Sequence, residues 1–176
     1  TNDKSNKHIV ISLLDQGKYG SLLLDKHIKT HFLNLKLNLS AIISIFRLCY
    51  YLNKYNPDVI QSWMYHADFF STLVSLILGK NNIVWGIRHS SLMLGKSKVS
   101  TIWISWLLAR MSYFFSKKII SCAFNAIDVH KNLGYDSTKM VCIPNGYDLS
   151  NFQYIEGRLN KFLKKLNLNT ALPILG

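Results

Sequence analysis

Acidic residues are scarce in this chain: 9 Asp and Glu stand against 21 Lys and Arg, for a formal net charge of +12. An AT-rich coding sequence, which favours Lys, Asn and Ile, accounts for that excess without function. Attraction to an anionic partner accounts for it with one. Cysteine is scarce too. Cys49, Cys122 and Cys142 are odd in number, unclustered and set in apolar stretches, which argues against a disulfide framework or a zinc site. A reduced, cytosolic compartment is the simpler reading. No apolar run reaches the roughly 20 residues of a membrane-spanning helix. The opening Thr1–Lys7 is polar, without the apolar core of a signal peptide and without an initiator Met, as in a processed chain or a fragment. No Gly-x-Gly-x-x-Gly follows a strand, and Gly17–Gly20 lacks the spacing of a phosphate cradle. A dinucleotide-dependent oxidoreductase is therefore disfavoured.

What is present points to one folded domain. Of 176 residues, 49% are hydrophobic, and a chain of that size can bury roughly 70% of its unfolded surface. Apolar runs at His8–Leu14, Val59–Ser62, Ile83–Ile87, Lys118–Ser121 and Met140–Ile143 have the length and composition of buried parallel strands. His31–Leu37 alternates as an edge strand would. Helices are expected between them: Ala41–Lys54, Asp68–Leu78 with Asp68 as its cap, Ser100–Phe115, Phe124–Leu133 and Tyr154–Leu166. Strands alternating with helices predict an α/β fold, a parallel sheet flanked by helices. In Ser100–Phe115, the small residues Thr101, Ser105, Ala109, Ser112 and Ser116 fall on one face. Trp103, Trp106, Arg110 and Tyr113 fall on another. Aromatic rings beside a cation suit a lipid headgroup region, or else they pack beneath loops. The final Leu172–Gly176 reads as the start of a further strand.

Ligands of open parallel sheets bind at the carboxyl ends of the strands, so the residues after each strand are the candidates. Trp63, Tyr65 and His66 follow the Val59 strand, and Arg88, His89 and Ser90 follow the Ile83 strand. Arg supplies a permanent cation with a planar fork for phosphate. His titrates near neutral pH and can donate to a sugar hydroxyl or a departing phosphate oxygen, and a Ser hydroxyl can orient either. The alternative is a His satisfied by backbone at a strand end, with Arg on the surface. His66 either binds an acceptor hydroxyl or simply opens a helix. His130, before Gly134, reads as a partner for a helix C-terminus. Pro144, Asn145, Gly146 and Asp148 make a rigid turn, which by pattern alone is equally a surface turn.

Several of these segments recur together in one family. The run Pro57-Asp58-Val59-Ile60-Gln61-Ser62-Trp63-Met64-Tyr65-His66-Ala67-Asp68 is followed by Trp85-Gly86-Ile87-Arg88-His89-Ser90. Ile120-Ser121-Cys122, Ala126, His130 and Gly134-Tyr135 come next. Val141-Cys142-Ile143-Pro144-Asn145-Gly146-Tyr147-Asp148 and Phe152 close the series. In this order and spacing the chain resembles the N-terminal domain of the retaining glycosyltransferases of family 4, which have the GT-B architecture, and within them the branch that builds bacterial surface glycans. The resemblance implies two Rossmann-like domains facing across a cleft, the N-terminal one taking mainly the acceptor and the C-terminal one the nucleotide sugar. It makes His89 the catalytic candidate, in contact with the donor sugar near the reacting centre. Arg88, Ser90, Trp63, Tyr65 and His66 become substrate-binding candidates, and Pro144, Asn145, Gly146 and Asp148 line the interdomain hinge. It implies no metal and no cofactor, with the nucleotide sugar as co-substrate and a glycan or lipid-linked acceptor as partner. Residues 1–152 correspond to the N-terminal domain, and 153–176 to the interdomain segment and the start of the next domain. The family's first strand with its glycine-rich loop, and its second domain, have no counterpart in this sequence. The isolated chain is therefore expected to be inactive.

Two further readings remain. A nucleic-acid-binding module would gather Lys and Arg with aromatics on one face, whereas here the Lys residues are scattered; no nucleic-acid partner is expected. A non-catalytic membrane-associated or partner-binding domain would dock through the aromatic face of Ser100–Phe115. That reading also fits an enzyme lying against an anionic membrane at the inner face of the plasma membrane.

Overall fold

The computed structural model describes residues 6–36, 40–89, 98–147, 149–151 and 156–166. Ser90, Asp148, Phe152 and Leu172–Gly176 lie outside the described residues. The chain divides into two compact units, residues 1–144 and 145–176.

In the first unit, strands and helices alternate: β1 (Ile9–Ser12), α1 (Gly17–Asp25), β2 (Lys29–Phe32), α2 (Ser40–Tyr55), β3 (Ile60–Gln61), α3 (Tyr65–Ile77), β4 (Ile83–Ile87), α4 (Val99–Met111), β5 (Lys118–Ser121), α5 (Phe124–Asn132) and β6 (Met140–Cys142). The second unit contains α6 (Arg158–Lys165). Every pairing among the described strands is parallel. The strands form two sheets, one of β1-β2 and one in the order β3-β4-β5-β6. The expected α/β class, a Rossmann-like parallel sheet flanked by helices, is the observed one.

Two apolar clusters hold the unit together. One gathers Trp85, Ile87 and Ile119 from the four-stranded sheet with Tyr65, Leu108, Ala109 and Ala126 from α3, α4 and α5. The other gathers Leu33, Leu48, Leu52, Ile60 and Val74, with Ile11 and Leu13 packed against it. This second cluster links the two-stranded sheet to β3 through side chains. Apolar burial dominates the stabilisation, at about 25 cal/mol per Å². The expected small-residue strip lies inward: Ser105 and Ala109 of α4, and Ser112 and Ser116 after it, are buried, and Thr101 is half-buried.

The structure moves several expected boundaries. The helix expected at Asp68 begins at Tyr65, because the Asp68 amide already donates to the Met64 carbonyl at 2.9 Å. Asp68 is therefore not the cap; its carboxyl turns inward. The edge strand expected over His31–Leu37 is Lys29–Phe32, ending where Asn34 takes a φ of 52°. Helix α4 stops at Met111 rather than Phe115. Helix α1 has no counterpart among the expected elements, since two of its nine residues, Gly17 and Gly20, are glycines of low helix propensity.

Candidate active site

The carboxyl rim of the four-stranded sheet is pinned beyond the ends of the strands themselves. After β3, the Ser62 amide donates to the Val84 carbonyl at 2.9 Å, and the Met64 amide donates to the Gly86 carbonyl at 3.0 Å. These bonds hold the exit of β3 flat against β4. The close approach depends on Gly86: a Cβ there would lie 2.7 Å from the Ser62 carbonyl oxygen and 2.9 Å from the Trp63 ring. Met64 then takes a φ of 78°, a conformation that costs side-chain-bearing residues about 1–3 kcal/mol. That turn is abrupt enough for α3 to begin at the next residue.

Four of the expected site residues come together here. The Arg88 guanidinium sits over the Trp63 ring at 4.4 Å from its centroid, a cation–π contact. The His89 imidazole lies nearly parallel to the Tyr65 ring, with centroids 5.9 Å apart and 15° between planes. Arg88, His89 and Trp63 are exposed, whereas Tyr65 is buried. His66 stands beside Tyr65 on α3 and is half-buried. Burial and, less strongly, the Lys98 ammonium lower its pKa. Pro144 closes the first unit, and Asn145 and Gly146, both exposed, open the second. Ser90 and Asp148 lie outside the described residues.

Beneath this rim runs a buried polar layer that sequence reasoning did not anticipate. Asp68, 1% exposed, accepts a hydrogen bond from the Ser62 hydroxyl at 2.6 Å and another from the Gly86 amide. Burial pushes its pKa up to about 8, against the pull of those two donors. Asp68 thereby ties the exits of β3 and β4 to the first turn of α3. Its own carbonyl accepts from the Thr72 hydroxyl at 2.7 Å, and the Trp85 indole donates to that hydroxyl at 3.0 Å.

The Tyr65 hydroxyl meets His130 Nε2 at 2.6 Å. His130 Nδ1 lies 2.7 Å from the Ala126 carbonyl. A carbonyl only accepts, so Nδ1 carries the proton and Nε2 accepts from Tyr65. Burial lowers the His130 pKa, keeping the imidazole neutral, and raises the Tyr65 pKa, keeping the phenol protonated. Tyr135 presents its edge to His130 at 5.1 Å and 76°, and its buried hydroxyl has no hydrogen-bond partner among the described residues. His130 was expected to serve the C-terminus of its helix. It bonds instead to Tyr65, 65 residues away in sequence. The one sequence signal was a His followed within five residues by Gly134-Tyr135.

Two hollows among the described residues lie at the opposite rim. One of about 350 Å³ is lined by Asn56, Pro57, Asp58, Gly79, Lys80 and Asn82 among others. Its polar groups are largely turned onto one another: Lys80 Nζ donates to Asn56 Oδ1, and Asn82 Nδ2 donates to the Asp58 carbonyl. The carboxyl rim, though open, holds the Arg88 cation and the His89 imidazole above the buried Tyr65 and Asp68. Among the described residues, no group of three or more His, Cys, Asp or Glu side chains is placed to hold a metal ion. No described helix is long and apolar enough to cross a membrane.

Comparison with known proteins agrees with this architecture. No curated protein sequence matches the chain. Among solved structures, HepE from Anabaena in complex with UDP-glucose superposes with a TM-score of 0.70 at 14% identity, over 90% of this chain and 42% of that one. HepE in complex with UDP gives 0.66 at 12% identity, over 92% of this chain and 50% of that one. UDP-N-acetylglucosamine 2-epimerase from Rickettsia bellii gives 0.59 at 16% identity, over 95% and 45%. The chain thus spans about half the length of these proteins or less. At such identities the likeness shows the fold, and a fold alone does not settle the chemistry. The sequence model of Glycosyltransferase Family 4 matches residues 7–151, most of the chain. This chain belongs to glycosyltransferase family 4.

Proposed function

We propose that this chain is the acceptor-side part of an enzyme that moves a hexosyl group from a nucleotide sugar to a glycan or lipid-linked acceptor in bacterial surface polysaccharide synthesis. The observation that carries the reading is the arrangement at the end of β4: Arg88 over Trp63 and His89 beside Tyr65, on a rim locked by Gly86 and Asp68. HepE, bound to UDP-glucose, shares the fold, which supports a uridine diphosphate sugar as the first donor to try.

In the transfer, the bond from the anomeric carbon to the diphosphate oxygen breaks. A bond from that carbon to the acceptor oxygen forms, and the acceptor hydroxyl proton leaves with the departing phosphate. Negative charge gathers on the leaving diphosphate. Arg88 offsets it, while His89 donates to a sugar hydroxyl or to the departing oxygen. Ser90, flanking them in sequence, orients either group. Trp63 and His66 line the acceptor side, and Pro144, Asn145, Gly146 and Asp148 form the hinge to a second domain that holds the nucleotide. Charge neutralisation by side chains and helix N-termini needs no metal. Transfer should therefore proceed unchanged in EDTA, and this chain alone should not turn over.

The test is steady-state sugar transfer by the enzyme carrying Arg88→Ala and, separately, Arg88→Lys. Loss of a cation that stabilises the transition state should lower kcat/KM by roughly 10²-fold. Lys should recover part of it, since it restores the charge without the planar fork. An Arg88→Ala enzyme with undiminished kcat/KM would remove the reading.

A second reading, non-catalytic docking to a membrane or partner, is favoured by one feature. On α4, Trp103 and Trp106 are 67% and 52% exposed and the Arg110 guanidinium lies 5.6 Å over the Trp106 ring; Tyr113, just after the helix, is exposed too. An anionic phospholipid surface at the inner face of the plasma membrane suits that face. Joint Trp103→Ser and Trp106→Ser substitution should reduce co-sedimentation with anionic vesicles; equal binding before and after would dismiss it.

A further inference from the structure

We propose that Tyr65 and His130 are positioning residues for His89: their hydrogen bond fixes the plane of the phenol ring against which the His89 imidazole lies. The proposal rests on the reading of His89 as the group that meets the donor sugar.

Tyr65 is held at both ends. Its backbone begins α3 directly after the positive-φ turn at Met64, whose amide is bonded to Gly86. Its hydroxyl is held by His130 Nε2, and His130 is held by the Ala126 carbonyl through Nδ1. The edge of Tyr135 closes a further side of the His130 ring. Tyr65, His130 and Tyr135 are 2%, 0% and 3% exposed. His89 itself is exposed, so the ordered surface beside it comes from below. Following α5 at about 1.5 Å per residue, His130 lies roughly 9 Å from the start of the helix at Phe124. It lies beneath the rim rather than at the surface.

Packing alone does not call for this pair. Replacing both partners of a buried hydrogen bond by apolar groups of similar shape is often nearly neutral for stability, whereas removing one leaves an orphan. A phenol tied to an imidazole adds what an apolar pair lacks, a fixed ring angle. Misplacement of a reacting group by about 1 Å can cost up to about 10²-fold in rate. A loosened ring should cost less, because the His89 backbone stays in place at the end of β4.

The test is steady-state transfer by the full enzyme with Tyr65→Phe, and with Tyr65→Phe joined to His130→Leu. The first keeps the ring and orphans His130. The second removes both polar groups and keeps an apolar interior, so it should fold even if the first does not. The double variant should show unchanged KM and a kcat lower by about tenfold. In a His89→Ala background the same pair of substitutions should cause no further loss, the non-additivity expected of groups acting through one another. A double variant with the wild-type kcat, or an equal fractional loss in both backgrounds, would overturn the positioning role. A His89→Ala enzyme at full rate would overturn the reading of His89 and the proposal with it. A slowed His89→Ala enzyme beside a full-rate double variant would overturn the pair alone.

Discussion

The two rims of the four-stranded sheet differ in what their polar groups do. At the amino rim, Asn56, Asp58, Lys80 and Asn82 surround a hollow and bond mainly to each other at the surface. At the carboxyl rim, the polar groups are stacked in depth. Arg88 and His89 lie outside, Tyr65 and Asp68 beneath them, and His130 is fully enclosed. The two hollows among the described residues thus lie away from the carboxyl rim. A buried carboxyl and a buried Tyr–His pair are costly to desolvate, and both stand under the rim that carries the cation and the imidazole. The amino rim has hollows without such investment. Depth of polar structure, more than the size of a hollow, distinguishes a site from a surface turn.

The largest expected effect separates the rims by pH. Burial raises the Asp68 pKa from an ordinary 3.8 to about 8. Below about pH 4 the carboxyl is protonated in both folded and unfolded chains. Between about pH 4 and 8 the unfolded chain gives up that proton while the native chain keeps it, so stability falls as pH rises. The slope approaches about 1.4 kcal/mol per pH unit and levels off above about 8. His130 acts in the opposite sense: its pKa is lowered, so its share of stability is present above about 6.5 and declines as the pH falls. Thermal unfolding from pH 4 to 9 should show a fall toward high pH that Asp68→Asn flattens. A fall of the same steepness in Asp68→Asn would contradict the assignment.

Next in size is Gly86→Ala. The added Cβ meets the Ser62 carbonyl oxygen at 2.7 Å, backbone that cannot swing aside. Overpacking of this kind costs about 1–3 kcal/mol. A lower unfolding midpoint is expected, with disturbed Trp63 fluorescence. Gly79→Ala, at the amino rim, meets no atom within 4 Å but stands at a φ of 66°. It should lower stability through backbone strain without disturbing Trp63. The smallest expected effect is Trp63→Ala, which removes the ring beneath Arg88. An exposed cation–π contact is worth about 0.5–1 kcal/mol, a few-fold loss in kcat/KM. A loss as large as that of Arg88→Ala would mean that Trp63 contributes more to transfer than its contact with Arg88.

The sequence made the central strands legible and the layer beneath the rim illegible. Ile83–Ile87 and Lys118–Ser121 coincide with β4 and β5 because strands covered on both faces are apolar without alternation, and only burial writes that pattern. The same logic brought Trp63, Tyr65, Arg88 and His89 to one rim from strand order alone. It failed for Asp68 and His130. Asp68 read as a cap because Asp commonly caps helices, and nothing local reveals that its carboxyl turns toward Ser62 and Gly86. His130 read as a helix-end residue because its partner Tyr65 is 65 residues away. Helix α1 escaped notice because glycines masked its start. Long-range hydrogen bonds and tertiary overrides of propensity leave no local periodicity to read.

The most direct test sets one residue of each rim against the other: steady-state sugar transfer by the full enzyme carrying His89→Ala or Lys80→Ala. With chemistry at the carboxyl rim, His89→Ala should lower kcat by about 100-fold, while Lys80→Ala should transfer at the wild-type rate. A full rate in His89→Ala, or a comparable loss in Lys80→Ala, would contradict the account.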